Sequence, residues 1–208
     1  MKVLDLTDFY SDRGGGIRSH LDAKGLALSA LGVEHVTVAP GAGDDERTLT
    51  GAPTPAVARV IRVRGPAQPY DSNYRFLSPG RAADVIRRER PDVLELDSLY
   101  LAALAARRVP RALAPIRTVF WHSDHIDTLL VPPLTRALGA SAAARLVAPA
   151  WVATRALLRR CDATIVASRT QRDKLERVGV PRVRYLRFGV DRARFNPAAR
   201  SESRRAEL

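Results

Sequence analysis

The sequence predicts an α/β fold, a mostly parallel sheet with helices on both faces in a Rossmann-like three-layer arrangement. Three observations carry that prediction. Short apolar runs alternate with longer amphipathic stretches along the whole chain. Runs such as residues 163–167 are nearly continuous in apolar residues, the pattern of strands covered on both sides. A chain of 208 residues is one generous domain or two small ones, large enough to bury a core without disulfides or metals.

Val3-Leu4-Asp5-Leu6 opens the chain as a buried first strand, and a polar stretch over 7–16 follows. Ile17, Leu21, Leu28 and Leu31 recur at helical spacing, with Gly32 as the stop. Residues 35–39 read as a second strand ended by Pro40-Gly41. Residues 41–56, rich in Gly, Pro, Asp and Thr, predict a mobile loop. A strand at 60–63 precedes a short basic helix over 81–90, stopped by Pro91, and a strand at 92–96. A helix over 99–107 leads to a strand at 117–121. The Ala- and Leu-rich stretch 133–160 predicts a long helix interrupted near Pro149. A strand at 163–167, a helix over 169–178 closed by Gly179, and a strand at 183–186 complete the alternation. Residues 198–208 are polar and find no place in the core.

Lys plus Arg number 34 against 22 Asp plus Glu, a formal net charge of +12. Lys2, Lys24 and Lys174 are the only lysines, so the remaining 31 cations are Arg, a bias that weakens any step from charge to nucleic acid. Neither aromatic stacking platforms nor a nucleic-acid motif accompanies it, and no nucleic-acid partner is expected. Cys161, the single cysteine, excludes an intramolecular disulfide and a Cys-based zinc site, and fits a cytoplasmic setting. Met1-Lys2-Val3-Leu4 meets Asp5 too soon for a secretory leader. No apolar run approaches the ~20 residues that span a bilayer. Peripheral contact at the inner face of the membrane stays open. Residues 133–160 set Leu134, Leu138, Leu146, Val147 and Trp151 beside arginines, as an interfacial helix would. Core packing with a solvated basic face is the plainer reading.

In open α/β sheets, ligands bind beyond the carboxyl ends of the strands. That rule singles out residues 8–16, Asp97 with Ser98, residues 122–125, and Ser168 with Arg169. Gly14-Gly15-Gly16 lies just before the first helix, where backbone N–H groups and the helix N-terminus favour a phosphate or a closely approaching sugar. The dinucleotide fingerprint is incomplete: Ser19 takes the third glycine position, and no acidic residue follows the strand ending at Ala39. His122-Ser123-Asp124-His125-Ile126-Asp127 holds metal-competent side chains. Residues so close in one loop seldom converge on one ion, so no metal is expected. A serine hydrolase would need a G-x-S-x-G elbow, which the sequence lacks. A histidine at a strand end that hydrogen-bonds a substrate hydroxyl needs no further partner, and His122 fits that role.

These pieces stand in an order that resembles the N-terminal half of glycosyltransferase family 4, retaining enzymes of the GT-B fold. The matching residues are Gly14-Gly15-Gly16-Ile17-Arg18-Ser19-His20-Leu21 after the first strand, and Arg90-Pro91-Asp92-Val93-Leu94-Glu95. Phe120-Trp121-His122-Ser123-Asp124 and residues 161–168 follow, then Phe188-Gly189-Val190-Asp191 with Phe195-Asn196-Pro197. The resemblance implies that Gly15 and Gly16 approach the donor's phosphates and sugar or the acceptor, and that His122 is the catalytic residue contacting the donor sugar. It implies that 189–191 lead into an interdomain hinge. Phe188 stands where the family usually has Asn, so that hydrogen bond is lost. Substrate contacts are expected from Gly14, Gly15, Gly16, Tyr10, Arg13, Ser123, Asp124, Ser168 and Arg169, with Asp12 and Tyr100 as further acceptor-side candidates.

The resemblance also implies a nucleotide-diphosphate sugar as donor, a sugar or lipid-linked acceptor, no cofactor, and a second Rossmann-like domain that holds most of the nucleotide. Residues 1–196 are then the acceptor-side domain, and 197–208 a linker or the start of the second domain. The expected function is sugar transfer to an acceptor hydroxyl with retention, incomplete in this chain alone. The alternative is a non-catalytic module that binds a phosphorylated or lipid-linked sugar.

Overall fold

The computed structural model describes all residues except 12, 51–55, 70, 125, 191, 193–195, 207 and 208, and it leaves the side chains of 199, 204 and 206 undescribed. Eight strands form one sheet in the order β3-β4-β2-β1-β5-β6-β7-β8. They are β1 (Lys2–Leu6), β2 (Glu34–Gly41), β3 (Asp45–Thr48), β4 (Ala58–Arg64), β5 (Val93–Leu96), β6 (Ile116–Trp121), β7 (Ala163–Val166) and β8 (Val183–Tyr185). All pairings are parallel except that of β3 with β4. The chain builds outward from β1 through β2 to β4, then returns to the other side of β1 at β5. The switch point therefore lies between the ends of β1 and β5, the place where such sheets open a ligand crevice.

Strand alternation sorts the two faces. Leu4, Leu6, Val36, Val38, Leu94, Leu96, Val119 and Trp121 point to one side. There they meet α2 (Pro79–Glu89), α3 (Leu101–Arg107), the end of α5 (Ala140–Leu158) and α6 (Arg169–Arg177) in the main core. On the other side, α1 (Gly16–Ala30) buries Leu21 against Ala39, Ala58 and Val60 in a smaller cluster. Farther along that second face, Ile116 of β6 remains 47% exposed. Both sheet faces carry helices, as the apolar strand runs require.

Two elements depart from the sequence reading. Residues 41–56 are not simply a mobile loop: β2 continues through Pro40 to Gly41, and β3 pairs antiparallel with β4. β1 stops opposite Val38, so the missing N–H of Pro40 costs no ladder bond on that side. β3 is wholly exposed and three of its four residues are charged, and Arg59 binds Glu46 across the pair at 2.6 Å, so this edge is held by strand pairing and ion pairs rather than burial. Its charged composition hid it. The long helix of 133–160 is also two helices, α4 (Val131–Leu138) and α5, and the break falls at Gly139 rather than Pro149. Gly139 has φ +80°, a conformation that glycine adopts without strain. Pro149 sits inside α5 on its exposed side, where the carbonyl it leaves unbonded, that of the exposed Arg145, faces water. A π-type turn over Ile126–Leu130 precedes α4. The charged end of the chain forms a short exposed turn of helix, α7 (Glu202–Ala206).

Candidate functional site

His122 follows β6 directly and projects from the same side of the sheet as Phe120 and α1. Its ring stacks on Phe120 at 4.4 Å between centroids, and Phe120 stacks on Phe188 at 5.4 Å. His20 of α1 meets all three rings edge-on or tilted, at 5.0 to 5.2 Å. Phe188, the residue that replaces the family's usual Asn, thus closes an aromatic enclosure around His122. The Nε2 atom of His122 lies 2.7 Å from Oδ1 of Asp97, which ends β5 and whose side chain is wholly buried.

Beneath this pair lies a buried charged network. Lys24 reaches from α1 to the sheet and donates to Asp5 of β1 at 2.8 Å and to Glu95 of β5 at 2.6 Å. Asp5 also bonds His35 of β2 at 2.8 Å, and Glu95 accepts from Thr118 of β6 at 2.9 Å. Burial alone would lower the Lys24 ammonium pKa, but the carboxylates of Asp5 and Glu95 outweigh it and hold it above its ordinary value. Burial would likewise raise Asp5, yet Lys24 and His35 pull it below.

Three carboxyl groups, Asp5, Glu95 and Asp97, thereby share one lysine, and that lysine bonds only the first two. A third buried charge without a cation is costly. Burial, reinforced by the Asp5 and Glu95 charges, accordingly raises Asp97 well above the usual carboxylate range. Its Oδ2 is buried without a partner among the described residues, which is tolerable for a neutral acid and far less so for a carboxylate. A neutral Asp97 would donate to Nε2 of His122 and leave the imidazole proton on Nδ1. Burial, with His20 second, lowers the His122 pKa to about 4. On nitrogen-15 NMR, His122 should show the Nδ1–H tautomer from pH 5 to 8 and titrate near pH 4. Asp97→Asn keeps a donor toward Nε2 and should preserve that tautomer. A midpoint near 6.5, or the Nε2–H tautomer, would overturn this assignment.

Two concavities meet at His122. One, of about 340 Å³, opens at the switch point and is lined by Phe9, Tyr74, Asp97, Ser98, Tyr100 and His122 among others. Phe9 contacts Tyr74 and Tyr100 edge-on at 6.1 and 5.6 Å, giving an aromatic wall. Asp8 fixes the loop that carries Phe9, since its Oδ2 accepts from Ser98 Oγ at 2.6 Å and from the Ala102 N–H at 3.2 Å. The second, an open groove of about 820 Å³, runs between α1 and residues 188–190 and is lined by Gly16, Ser19, His20, Lys24, His122 and Phe188 among others. Ile17, His122 and Ser123 border both.

The structure brings some of the sequence-derived candidates together and separates others. Gly14 (φ +103°) and Gly15 (φ +125°) precede α1 in conformations suited to glycine, and no side chain caps the helix. Gly16 lines the groove at the helix's first turn, where N–H groups have no partner within the helix. Ser123 and Tyr100 line the 340 Å³ cavity. Arg13 is exposed. Tyr10 is interior: its hydroxyl donates to Asp22 at 2.6 Å and accepts from Arg47 at 2.7 Å, so it ties α1 to the β3 edge and lines neither concavity. Asp124 is buried beneath the π-type turn, bonds the Asp127 N–H at 3.2 Å and pairs with Lys174 of α6. Ser168 caps α6 through the Gln171 N–H at 3.0 Å, and Arg169 lies over the Tyr185 ring, and neither lines the two concavities at His122. Asp12, His125, Asp191 and Phe195 lie outside the described residues. Phe9 falls within the 8–16 segment that the strand-end rule singled out and Phe188 within a matched motif, whereas Tyr74 and Lys24 complete the site without having been candidates. Lys24 carried a signal, a lysine on the apolar stripe side of a helix facing Asp5 and Glu95, whereas Tyr74 carried none.

A parallel sheet with its crevice at the β1/β5 switch point, a glycine loop entering the first helix and a histidine at the end of β6 give a Rossmann-like domain of the GT-B type. The sequence profile of glycosyltransferase family 4 matches residues 14–194, and the chain belongs to that family. It is 30% identical over 204 residues to the GDP-mannose-dependent alpha-(1-6)-phosphatidylinositol dimannoside mannosyltransferase of Mycobacterium tuberculosis, in both strain H37Ra and strain CDC 1551. The match covers 96% of this chain and 49% of each relative, so the chain spans about half their length. Among solved structures, a glycosyltransferase from Rickettsia africae ESF-5 superposes with a TM-score of 0.54 at 11% identity, over 99% of this chain and 48% of that one. At that identity the likeness shows the fold.

Proposed function

We propose that this chain forms the acceptor side and part of the catalytic cleft of a retaining glycosyltransferase, with residues 1–196 as the domain and 197–208 as the linker to a donor-binding half. The observation that carries the reading is His122, held by Asp97 and shared by two concavities. The aromatic cavity at the switch point suits one face of a sugar ring, with Tyr74, Tyr100 and Ser98 supplying hydroxyls. The groove beside the glycine loop and the uncapped start of α1 suits the phosphates and sugar of a nucleotide donor. His122, neutral and donating through Nδ1, lies where the two substrates would meet. Developing charge on the leaving diphosphate needs further preorganised donors, and the α1 terminus alone offers few. The chain by itself is therefore read as inactive, working at the cytoplasmic face of a membrane when joined to its second half. The mycobacterial relative suggests GDP-mannose and a phosphatidylinositol mannoside as first substrates to try.

Calorimetry on this chain tests the division of labour. The mannoside headgroup should bind in the His122 cavity while GDP-mannose binds negligibly. Cleft-specific GDP-mannose binding by this chain alone would overturn the placement of the donor site. A lack of transfer once a donor-binding half is supplied would favour a non-catalytic sugar-binding module.

A further inference from the structure

We propose that the α4–α5 hairpin is a docking surface for an anionic lipid bilayer. α4 packs on α5 and on the turn before it, so the pair forms a ledge at the side of the sheet. Only one stripe of α5 turns inward, through Ala143, Val147, Thr154 and Leu158. The outer surface is apolar to an extent that water does not favour. Leu129, Leu130, Leu138, Leu146 and Val152 are between 41% and 59% exposed, with Ala148, Pro149 and Ala153 exposed between them.

Charge selects the occupant. Residues 128–161 contain no Asp or Glu and five arginines: Arg136, Arg145, Arg155, Arg159 and Arg160. Some exposed arginines elsewhere are paired with carboxylates, as Arg81 and Arg111 are. No hydrogen bond or ion pair to a described residue engages the side chains of Arg136 or Arg145. Exposed leucines beside unpaired arginines on a helical surface are the pattern of an interfacial element on anionic lipid. A second copy would set arginine against arginine, and a nucleic acid would gain nothing from the leucines. Leu129 both stands exposed at the start of the ledge and lines the 340 Å³ cavity. A bilayer touching the ledge would therefore lie at the cavity mouth. This extends the lipid-linked acceptor reading but does not depend on transfer, because docking is measured without any reaction.

The test is co-sedimentation of the full chain with vesicles of phosphatidylcholine containing phosphatidylglycerol, against phosphatidylcholine alone. Binding is expected only with the anionic lipid. Arg136→Gln with Arg145→Gln should weaken it roughly thirtyfold, from the known contribution of a basic residue near an anionic surface. Leu138→Ser with Leu146→Ser should also weaken it, whereas Arg107→Gln with Arg177→Gln, outside the ledge, should leave it nearly unchanged. All these positions are exposed, and circular dichroism melting verifies that each variant folds. The proposal fails if anionic vesicles do not bind, if both arginine pairs weaken binding equally, or if the leucine pair has no effect. It fails equally if sedimentation velocity shows a dimer that the leucine pair dissolves.

Discussion

Replacing His122 with Ala is expected to lower sugar transfer by about 10²- to 10³-fold, the usual cost of removing one preorganised donor from a reacting centre. The assay is turnover by the enzyme in which this chain is joined to a donor-binding half. The loss should appear in kcat, with KM for the acceptor nearly unchanged, because the aromatic cavity proposed for it keeps its walls of Phe9, Tyr74 and Tyr100. Asp97→Asn should retain most activity, since an amide donates to Nε2 as the neutral acid does. Asp97→Ala removes that donor and frees the ring, and should fall part of the way toward the His122 variant. Unchanged turnover in His122→Ala would remove it from the catalytic machinery.

Lys24→Met should be the most destabilising single change in the buried network, by about 3–5 kcal/mol, because it leaves Asp5 and Glu95 as uncompensated buried charges. Urea unfolding at pH 7 reads the loss, and a change below about 1 kcal/mol would show that the network carries little. The pH dependence provides a second signature. In the native protein Asp5 is held below its ordinary value of 3.8, so its contribution is present above that pH and lost as pH falls below it. Lys24 is held above 10.5, so its contribution is present below that pH and lost only as pH rises further. Without Lys24, the buried carboxyls are pushed up instead, and their protonation stabilises the fold at low pH. Lys24→Met should therefore recover stability between pH 7 and 5, where the native protein does not. Adding Glu95→Gln should recover part of it at pH 7.

Local pattern carried most of the fold. The strands at 3–6, 35–39, 60–63 and 163–167 fall within one or two residues of their observed bounds, because apolar runs between turn residues are a local signal. The short edge β3 escaped because its four residues are exposed and three of them are charged. Gly139 was passed over for Pro149, although a glycine at positive φ ends a helix more completely than a proline on a solvated face. For the candidate site, strand ends singled out His122, Asp97 and the glycine loop, which the structure brings to the same two concavities. They also drew in Ser168 and Asp124, whose side chains instead cap α6 and pair with Lys174. Polar residues at strand ends do both jobs, and spacing does not tell a cap from a ligand contact.

The sequence by itself determined the alternating architecture, the family and the candidate histidine, since periodicity and motif order are written along the chain. Only the tertiary structure decided the chemical state of that histidine. Asp5, Glu95 and Asp97 come from two strands that are neighbours only through the switch in strand order, and Lys24 comes from the helix above them. Lys24, with His35 beside Asp5, is set against three buried carboxyls, and the crowding that raises Asp97 exists only when these groups meet.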